Sequence, residues 1–467
     1  MLFNSALFLF FFAAVAAVFH STPPKWRWIV LIAASMVFYA AWDYRFLAVV
    51  FAVAVVAFAY GHYGARRGGR WTLAAAIVLI LMPLAFFKYI NFILTNLAPV
   101  FGMVGATAPG PIAGLILPLG ISFYTFQLLS YCLDVHAGRY QPVESFWKLV
   151  LYPMYFPHQI AGPIIRPGLL IPQFTAPQTP EYAVLASGFR LFLWGLFKKV
   201  FVADRLAVLV DAVYRYPAHY RGLGCLLALY FFAMQTYCDF SGYTDMALGV
   251  SRMLGIELCE NFRQPYFAAS LREFWGRWHI SLSTWMRDYL YIPLGGDRVS
   301  RGRWVFNILA VFSLSGLWHG ANWTFVLWGV YHGALLVVER GIGWLFPRGT
   351  GNWLGRGVAI VLTFHLVVLG WVLFRSPNLA TAGAILTNVD LTSMDHFWDI
   401  MEPIQLELAG LGIAAVVIGD FTEEVGLLGR FDRLPLAIRW GAYYAAIFLV
   451  VLFPGSSDIK TFIYFQF

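Results

Sequence analysis

Apolar runs about as long as a bilayer is thick recur along almost the whole chain, near residues 6–19, 28–42, 46–61, 72–92, 111–133, 148–165, 184–203, 223–252, 304–317, 322–345, 356–374, 405–419 and 436–453. A helix needs roughly 20 mostly apolar residues to cross the hydrocarbon core, where no water satisfies its backbone. The joints between runs are short and rich in charge, Gly or Pro, and they leave no room for a large soluble domain. The pattern predicts an all-α polytopic membrane protein. Some runs are too short to cross alone, so the expectation is about 11 transmembrane helices plus re-entrant or interfacial helices. A single membrane-embedded domain, 1–467, is the simplest division.

Charge sets the expected orientation. The net charge is +8, but the Lys and Arg residues cluster in the joints rather than along one face, which argues against a nucleic-acid partner and for the positive-inside rule. Lys25 and Arg27 follow the first run and Arg66, Arg67 and Arg70 follow the third, with a nearly balanced Asp43-Tyr44-Arg45 between. This puts the N-terminus outside. The first run carries Ala14-Val15-Ala16 like a signal-peptide cleavage site but lacks the positive start such peptides use, so it reads as a retained helix. The larger loops are expected near 94–112 and 375–404. Four cysteines, Cys132, Cys225, Cys238 and Cys259, form no close C-x-x-C pair, so neither a disulfide framework nor a zinc knuckle is indicated.

Ionisable groups in apolar runs are costly and are the first candidates for chemistry. Of ten histidines, His20, His62, His136, His219 and His396 fall in joints, whereas His158, His279, His319, His332 and His365 lie in or beside apolar segments. His319 stands in Ser315-Gly316-Leu317-Trp318-His319-Gly320-Ala321-Asn322-Trp323, where two glycines permit close backbone approach. If the stretch is helical, Asn322 shares a face with His319 and orients the ring or a substrate. A neutral imidazole in such a setting accepts a proton near pH 7.

The segment from about 257 to 303 is rich in Arg and Trp and is expected to be interfacial or re-entrant. Helical spacing puts Arg272, Trp275, His279 and Ser283 on one stripe. No H-E-x-x-H and no i, i+4 carboxylate or histidine partner accompanies His279 or His319, so no metal is expected there. A G-x-S-x-G nucleophile elbow is also missing.

At these residues the chain resembles the membrane-bound O-acyltransferase superfamily, and within it the bacterial branch of alginate O-acetyltransferase membrane subunits, peptidoglycan- and cellulose-acetylating relatives and teichoic acid D-alanyl transfer proteins. The resemblance runs through Pro118-Leu119-Gly120-Ile121-Ser122-Phe123-Tyr124-Thr125-Phe126-Gln127, Ala161-Gly162-Pro163-Ile164, Tyr237-Cys238-Asp239-Phe240-Ser241-Gly242-Tyr243-Thr244-Asp245 and Asn261-Phe262. It continues through Phe274 to Thr284, Arg287-Asp288-Tyr289, Ile292-Pro293-Leu294-Gly295-Gly296 and Gly316-Leu317-Trp318-His319-Gly320, with family-like ends at Met1-Leu-Phe-Asn-Ser and Phe462-Ile463-Tyr464-Phe465. A family core of about 115–375 is implied.

The resemblance implies a ring of helices around a central funnel, with His319 and His279 catalytic and Asn322, Trp318, Trp275, Arg272, Ser283, Asp288 and Asp239 binding substrate or lining the tunnel. It implies no bound cofactor and a cytoplasmic thioester donor, acetyl-CoA or an acyl-carrier thioester. The acceptor it implies is an extracytoplasmic polysaccharide or a periplasmic esterase-like transferase, reached across the bacterial cytoplasmic (inner) membrane. Two residues depart from the family pattern: His158 in Phe156-Pro157-His158-Gln159, and His365. D-alanyl transfer is the competing reading. A transporter without chemistry is a remote one, since no internal symmetry of broken helices is visible.

Overall fold

The computed structural model describes residues 1–65, 69–107, 109–160, 162–175, 180–345, 353–390, 392–393, 396–427, 434–455 and 462. Arg66 and Arg67, Ala161 and the closing Ile463-Tyr464-Phe465 lie outside them. Among the described residues every regular element is an α, 3-10 or π helix and none is a strand. Helices satisfy their backbone groups within one segment, which is the requirement a bilayer imposes.

Among the described residues six segments are long and apolar enough to cross a membrane: Pro24–Gly64, Arg70–Met103, Leu223–Met253, Trp323–Gly343, Trp353–Arg375 and Pro403–Glu424. Ala6–Ser21 and Leu436–Leu452 are shorter apolar helices. The chain is thus a multi-pass membrane protein. One of these segments joins two apolar runs into a single helical stretch. The runs 28–42 and 46–61 join through a 3-10 turn, Tyr44–Phe46, in which the Asp43 carboxylate accepts from the Arg45 backbone N–H (3.0 Å) and guanidinium (2.6 Å). Likewise the run 72–92 continues through a π turn, Ala85–Tyr89, into the Ile90–Met103 helix, so half of the loop expected at 94–112 is helical.

The chain packs as two compact units, residues 1–189 with 247–259, and residues 190–246 with 260–467. In the first, the Ile121–His136 helix buries 14 of its 16 residues, so it is surrounded on all sides. Gly120 caps its start at φ +67°, where an added Cβ would lie 2.7 Å from the Gln159 carbonyl oxygen. Gln127 Nε2 donates to His158 Nε2 at 3.0 Å. His158 is thereby a hydrogen-bonded histidine inside this unit.

In the second unit, glycines let helices touch at the backbone. A Cβ at Gly316 would lie 2.1 Å from the Phe325 carbonyl oxygen, and one at Gly329 would lie 2.1 Å from that of Phe312. The Arg301–His319 and Trp323–Leu345 helices therefore pack closer than any larger residue permits. A second such crossing lies at Gly195 and Gly242. Beside it two buried lysines are neutralised in place: Lys198 Nζ meets Asp245 at 2.5 Å, and Lys199 Nζ meets Asp239 at 2.6 Å and Asp204 at 2.9 Å.

Candidate active site

The stripe expected from Arg272 to Ser283 is broken at its centre. Ser270 caps the Leu271–Arg277 helix, its side chain accepting from Glu273 N at 3.1 Å. That helix stops at Trp278, whose backbone is extended, and His279 follows at φ +43°, in the left-handed region that a residue with a Cβ rarely occupies. A second helix, Ile280–Met286, then begins. Strain of this kind persists where surrounding contacts over-determine it. Here the contacts come from residues 261–263: Asn261 O accepts from Ile280 N (2.9 Å), and Arg263 N donates to Arg277 O (2.9 Å).

Asn261 also fixes the chemistry of the His279 ring. Its Oδ1 accepts from the Ser281 backbone N–H at 3.2 Å and the Ser281 hydroxyl at 2.9 Å, and it lies 3.1 Å from His279 Nδ1. A backbone N–H can only donate, so the amide atom facing it is the carbonyl oxygen. The proton of neutral His279 is therefore on Nδ1, and the lone pair is on Nε2. That Nε2 is buried with no hydrogen-bond partner among the described residues. The edge-on ring of Phe240, 4.7 Å away between centroids, holds the imidazole from one side.

The structure brings the two expected catalytic histidines together, with ring centroids 6.2 Å apart. His319 is the last residue of the Arg301–His319 helix and is buried. Its ring sits among Trp318, Trp328 and Phe374, at 5.0, 5.2 and 5.3 Å. Trp318 also meets His279, at 5.9 Å. Beyond Trp328 lies a third buried histidine, His332, which contacts Trp328 and Trp275 at 5.1 Å each. Neither His332 nitrogen has a hydrogen-bond partner among the described residues, and the same holds for the indole nitrogens of Trp275 and Trp328. A Cβ at Gly370 would lie 2.6 Å from His332 Nε2, so a glycine lets the Trp353–Arg375 helix pass over this ring.

The other expected residues are placed differently. The helix ends at His319, so Asn322 does not continue its face; Asn322 Oδ1 accepts from Thr324 N (3.1 Å) and Nδ2 donates to Pro377 O (2.8 Å). Ser283 Oγ donates to the Trp278 carbonyl at 3.2 Å. Arg272 is exposed, and Asp288 accepts from the Arg287 guanidinium at 2.8 Å. Asp239 is buried against Lys199. His365 is exposed, its Nδ1 donating to the Val361 carbonyl at 2.7 Å. Asn261 and His332 were not among the residues expected at the site, although His332 stood in the census of histidines in apolar segments. The signal for His332 was its spacing of four from Trp328 on one apolar helix; Asn261 had no signal beyond its place in a motif.

Comparison with known proteins follows the same residues. The sequence profile of the membrane-bound O-acyltransferase family (MBOAT) matches residues 145–369, which run across both units. The chain is 40% identical over 451 residues to the probable alginate O-acetylase AlgI of Pseudomonas aeruginosa, covering 94% of this chain and 84% of that protein. It is 33% identical over 425 residues to the peptidoglycan O-acetyltransferase of Helicobacter pylori, covering 83% and 79%. It is 31% identical over 283 residues to the teichoic acid D-alanyltransferase of Bacillus subtilis, covering 56% and 70%.

Proposed function

This chain belongs to the membrane-bound O-acyltransferase family, and from that premise we propose that it moves acetyl groups from a cytoplasmic thioester across the bacterial inner membrane to an extracytoplasmic polysaccharide, or to a periplasmic esterase-like transferase that passes them on. It is an O-acyltransferase; the acetyl group, the sidedness and the acceptor are the parts proposed, together with about eleven passes and an external N-terminus. The observation that carries the reading is the pair of buried histidines 6.2 Å apart, walled by tryptophans, in a chain similar over most of its length to a protein named probable alginate O-acetylase.

In this reading a hydroxyl oxygen of the acceptor attacks the thioester carbonyl carbon. His319 takes the hydroxyl proton as the C–O bond forms, the C–S bond breaks, and the proton goes on to the departing thiolate. A free hydroxyl is too weakly acidic to attack at neutral pH without such a base. His279 presents a lone pair at Nε2 rather than a proton, so it accepts from a neighbouring hydroxyl of a polyhydroxylated acceptor and does not serve the oxyanion. The indole N–H groups of Trp275 and Trp328, which have no hydrogen-bond partner among the described residues, are donors the site can offer the oxyanion. The phosphates of coenzyme A cannot cross hydrocarbon at tolerable cost, so the donor's headgroup stays cytoplasmic while its narrow arm reaches inward.

The test uses purified protein in nanodiscs with acetyl-CoA. Slow hydrolysis or transfer of acetyl groups, lost in His319→Ala, supports the proposal. Turnover confined to an acyl-carrier-protein thioester and dependent on His319 would instead favour D-alanyl transfer, the reading that the similarity to a teichoic acid D-alanyltransferase keeps open.

A further inference from the structure

Away from these histidines, two connections of the second unit bring three other metal-ligating side chains together. His219 stands between the Asp204–Arg215 and Leu223–Met253 helices, while His396 caps and Asp399 closes the 3-10 turn Phe397–Asp399. The backbone fastens this neighbourhood. Gly222 N donates to Asn388 O and Leu223 N to Ser393 O, both at 2.9 Å, and Asn388 Nδ2 donates to Pro217 O at 2.6 Å. Gly222 is at φ +72°, and a Cβ there would lie 2.1 Å from Ser393 O, so the close approach requires glycine.

The His219 and His396 rings stack, with centroids 3.9 Å and planes 22° apart, and His396 Nδ1 lies 2.9 Å from Asp399 Oδ2. One ligand atom from each of the three residues falls within 4.8 Å of the others, and all three side chains are exposed. His396 reaches its place at φ +57°, a left-handed conformation unfavourable for a residue with a Cβ. The spacing is nonlocal, so no sequence motif announces it.

We propose that His219, His396 and Asp399 form a divalent transition-metal site, for which zinc is the matching ion, clipping the connection that holds His219 to the Phe397–Asp399 turn. Two imidazoles and one carboxylate are a ligand set that zinc accepts, with a fourth tetrahedral position left to water. Magnesium and calcium prefer oxygen ligands throughout, whereas imidazole suits the later first-row metals. Both rings are exposed, and His219 meets the core edge-on at Tyr220, so rotation about the side-chain bonds brings a nitrogen of each ring onto one ion. Because a metal bound to the folded chain stabilises it, the clip raises resistance to unfolding in proportion to occupancy.

Full-length protein in nanodiscs, stripped by chelator and titrated with Co²⁺, is expected to take up one equivalent with the visible absorption of a four-coordinate N/O site, and to surrender it to Zn²⁺. His219→Ala, His396→Ala and Asp399→Asn should each weaken zinc by at least the roughly tenfold that even an outer-shell partner is worth. Zn²⁺ should raise the thermal midpoint of the wild type but not of His396→Ala. Failure to bind cobalt at micromolar concentration, or binding of equal strength in all three variants, overturns the assignment.

Discussion

Asn261 Oδ1 lies 3.1 Å from His279 Nδ1, and because the same oxygen faces a backbone N–H, it dictates which nitrogen of His279 carries the proton. The relation resembles the orienting partner of a catalytic histidine in other acyl-transfer enzymes, where a third group holds the base in the right tautomer. Asn261→Ala leaves the His279 Nδ1 proton without its partner, a loss of about 1–3 kcal/mol, and is expected to lower turnover roughly 10- to 100-fold with little change in KM for the donor. Asn261→Asp, which still accepts from Nδ1, should retain more activity than alanine. Steady-state kinetics with ¹⁵N NMR of labelled histidine checks both; wild-type turnover in the alanine variant would remove Asn261 from the site.

His319→Ala should cut transfer by roughly 10²- to 10⁴-fold, the usual worth of general base catalysis, with membrane insertion unchanged. His279→Ala should also be severe. If the two act as one unit, the double variant will be barely worse than the worse single one. Multiplying losses would instead mean that they serve separate steps.

His332 offers a sharper contrast between packing and function. Two unpartnered imidazole nitrogens in a buried site each cost about 1–3 kcal/mol of stability. If the residue only packs, His332→Phe is neutral or stabilising and leaves activity alone. The expectation is that the thermal midpoint holds or rises while acyl transfer falls at least about tenfold, as for a group that meets substrate. Activity equal to wild type would return His332 to the packing core.

The sequence made much of this legible. Apolar runs predicted the helices, and the glycines around His319 predicted close backbone approach, which Gly316 makes against Phe325. What periodicity could not reveal was the break at His279, because a left-handed residue between two short helices leaves the apolar spacing almost unchanged. Asn261 was hidden for a related reason: it acts across 18 residues through a loop, and only the fold brings its side chain to the ring. Asn322 was misplaced because the helix stops at His319, where Gly320 turns extended and frees Asn322 to cap the next helix. At Asp43-Tyr44-Arg45 a charged joint between two apolar runs is a capped turn within one helical stretch, a continuity that apolar spacing does not reveal.

Gly329→Ala tests the glycine contact directly. The added methyl would meet the Phe312 carbonyl oxygen at 2.1 Å, and backbone cannot yield as a flexible side chain can. Overpacking of this kind costs about 1–3 kcal/mol. The helices that carry His319 and His332 would separate, so thermal unfolding should move down and activity should fall with it. Gly343→Ala, on the same helix with nothing within 4 Å, is the control and should change neither.

The last expectation concerns Asp239, which the family resemblance assigns to the tunnel and the geometry supports as a structural anchor. Lys199 is shared by Asp239 at 2.6 Å and Asp204 at 2.9 Å, and all three are buried. Removing one partner of a buried pair costs about 3–5 kcal/mol, because it strands the remaining charge. The two partners are not equivalent here. Asp239→Asn leaves Lys199 with Asp204, whereas Lys199→Met takes the shared cation from two carboxylates at once, so the lysine variant should lose more thermal stability. The next residue, Phe240, braces the His279 ring, so loosening the anchor should reach the site through His279 and lower turnover rather than donor affinity. Thermal unfolding and kinetics on both variants decide between the assignments. A raised KM in Asp239→Asn with unchanged stability would mean that Asp239 touches substrate; lost stability with an unchanged KM would make it the anchor that keeps His279 in place.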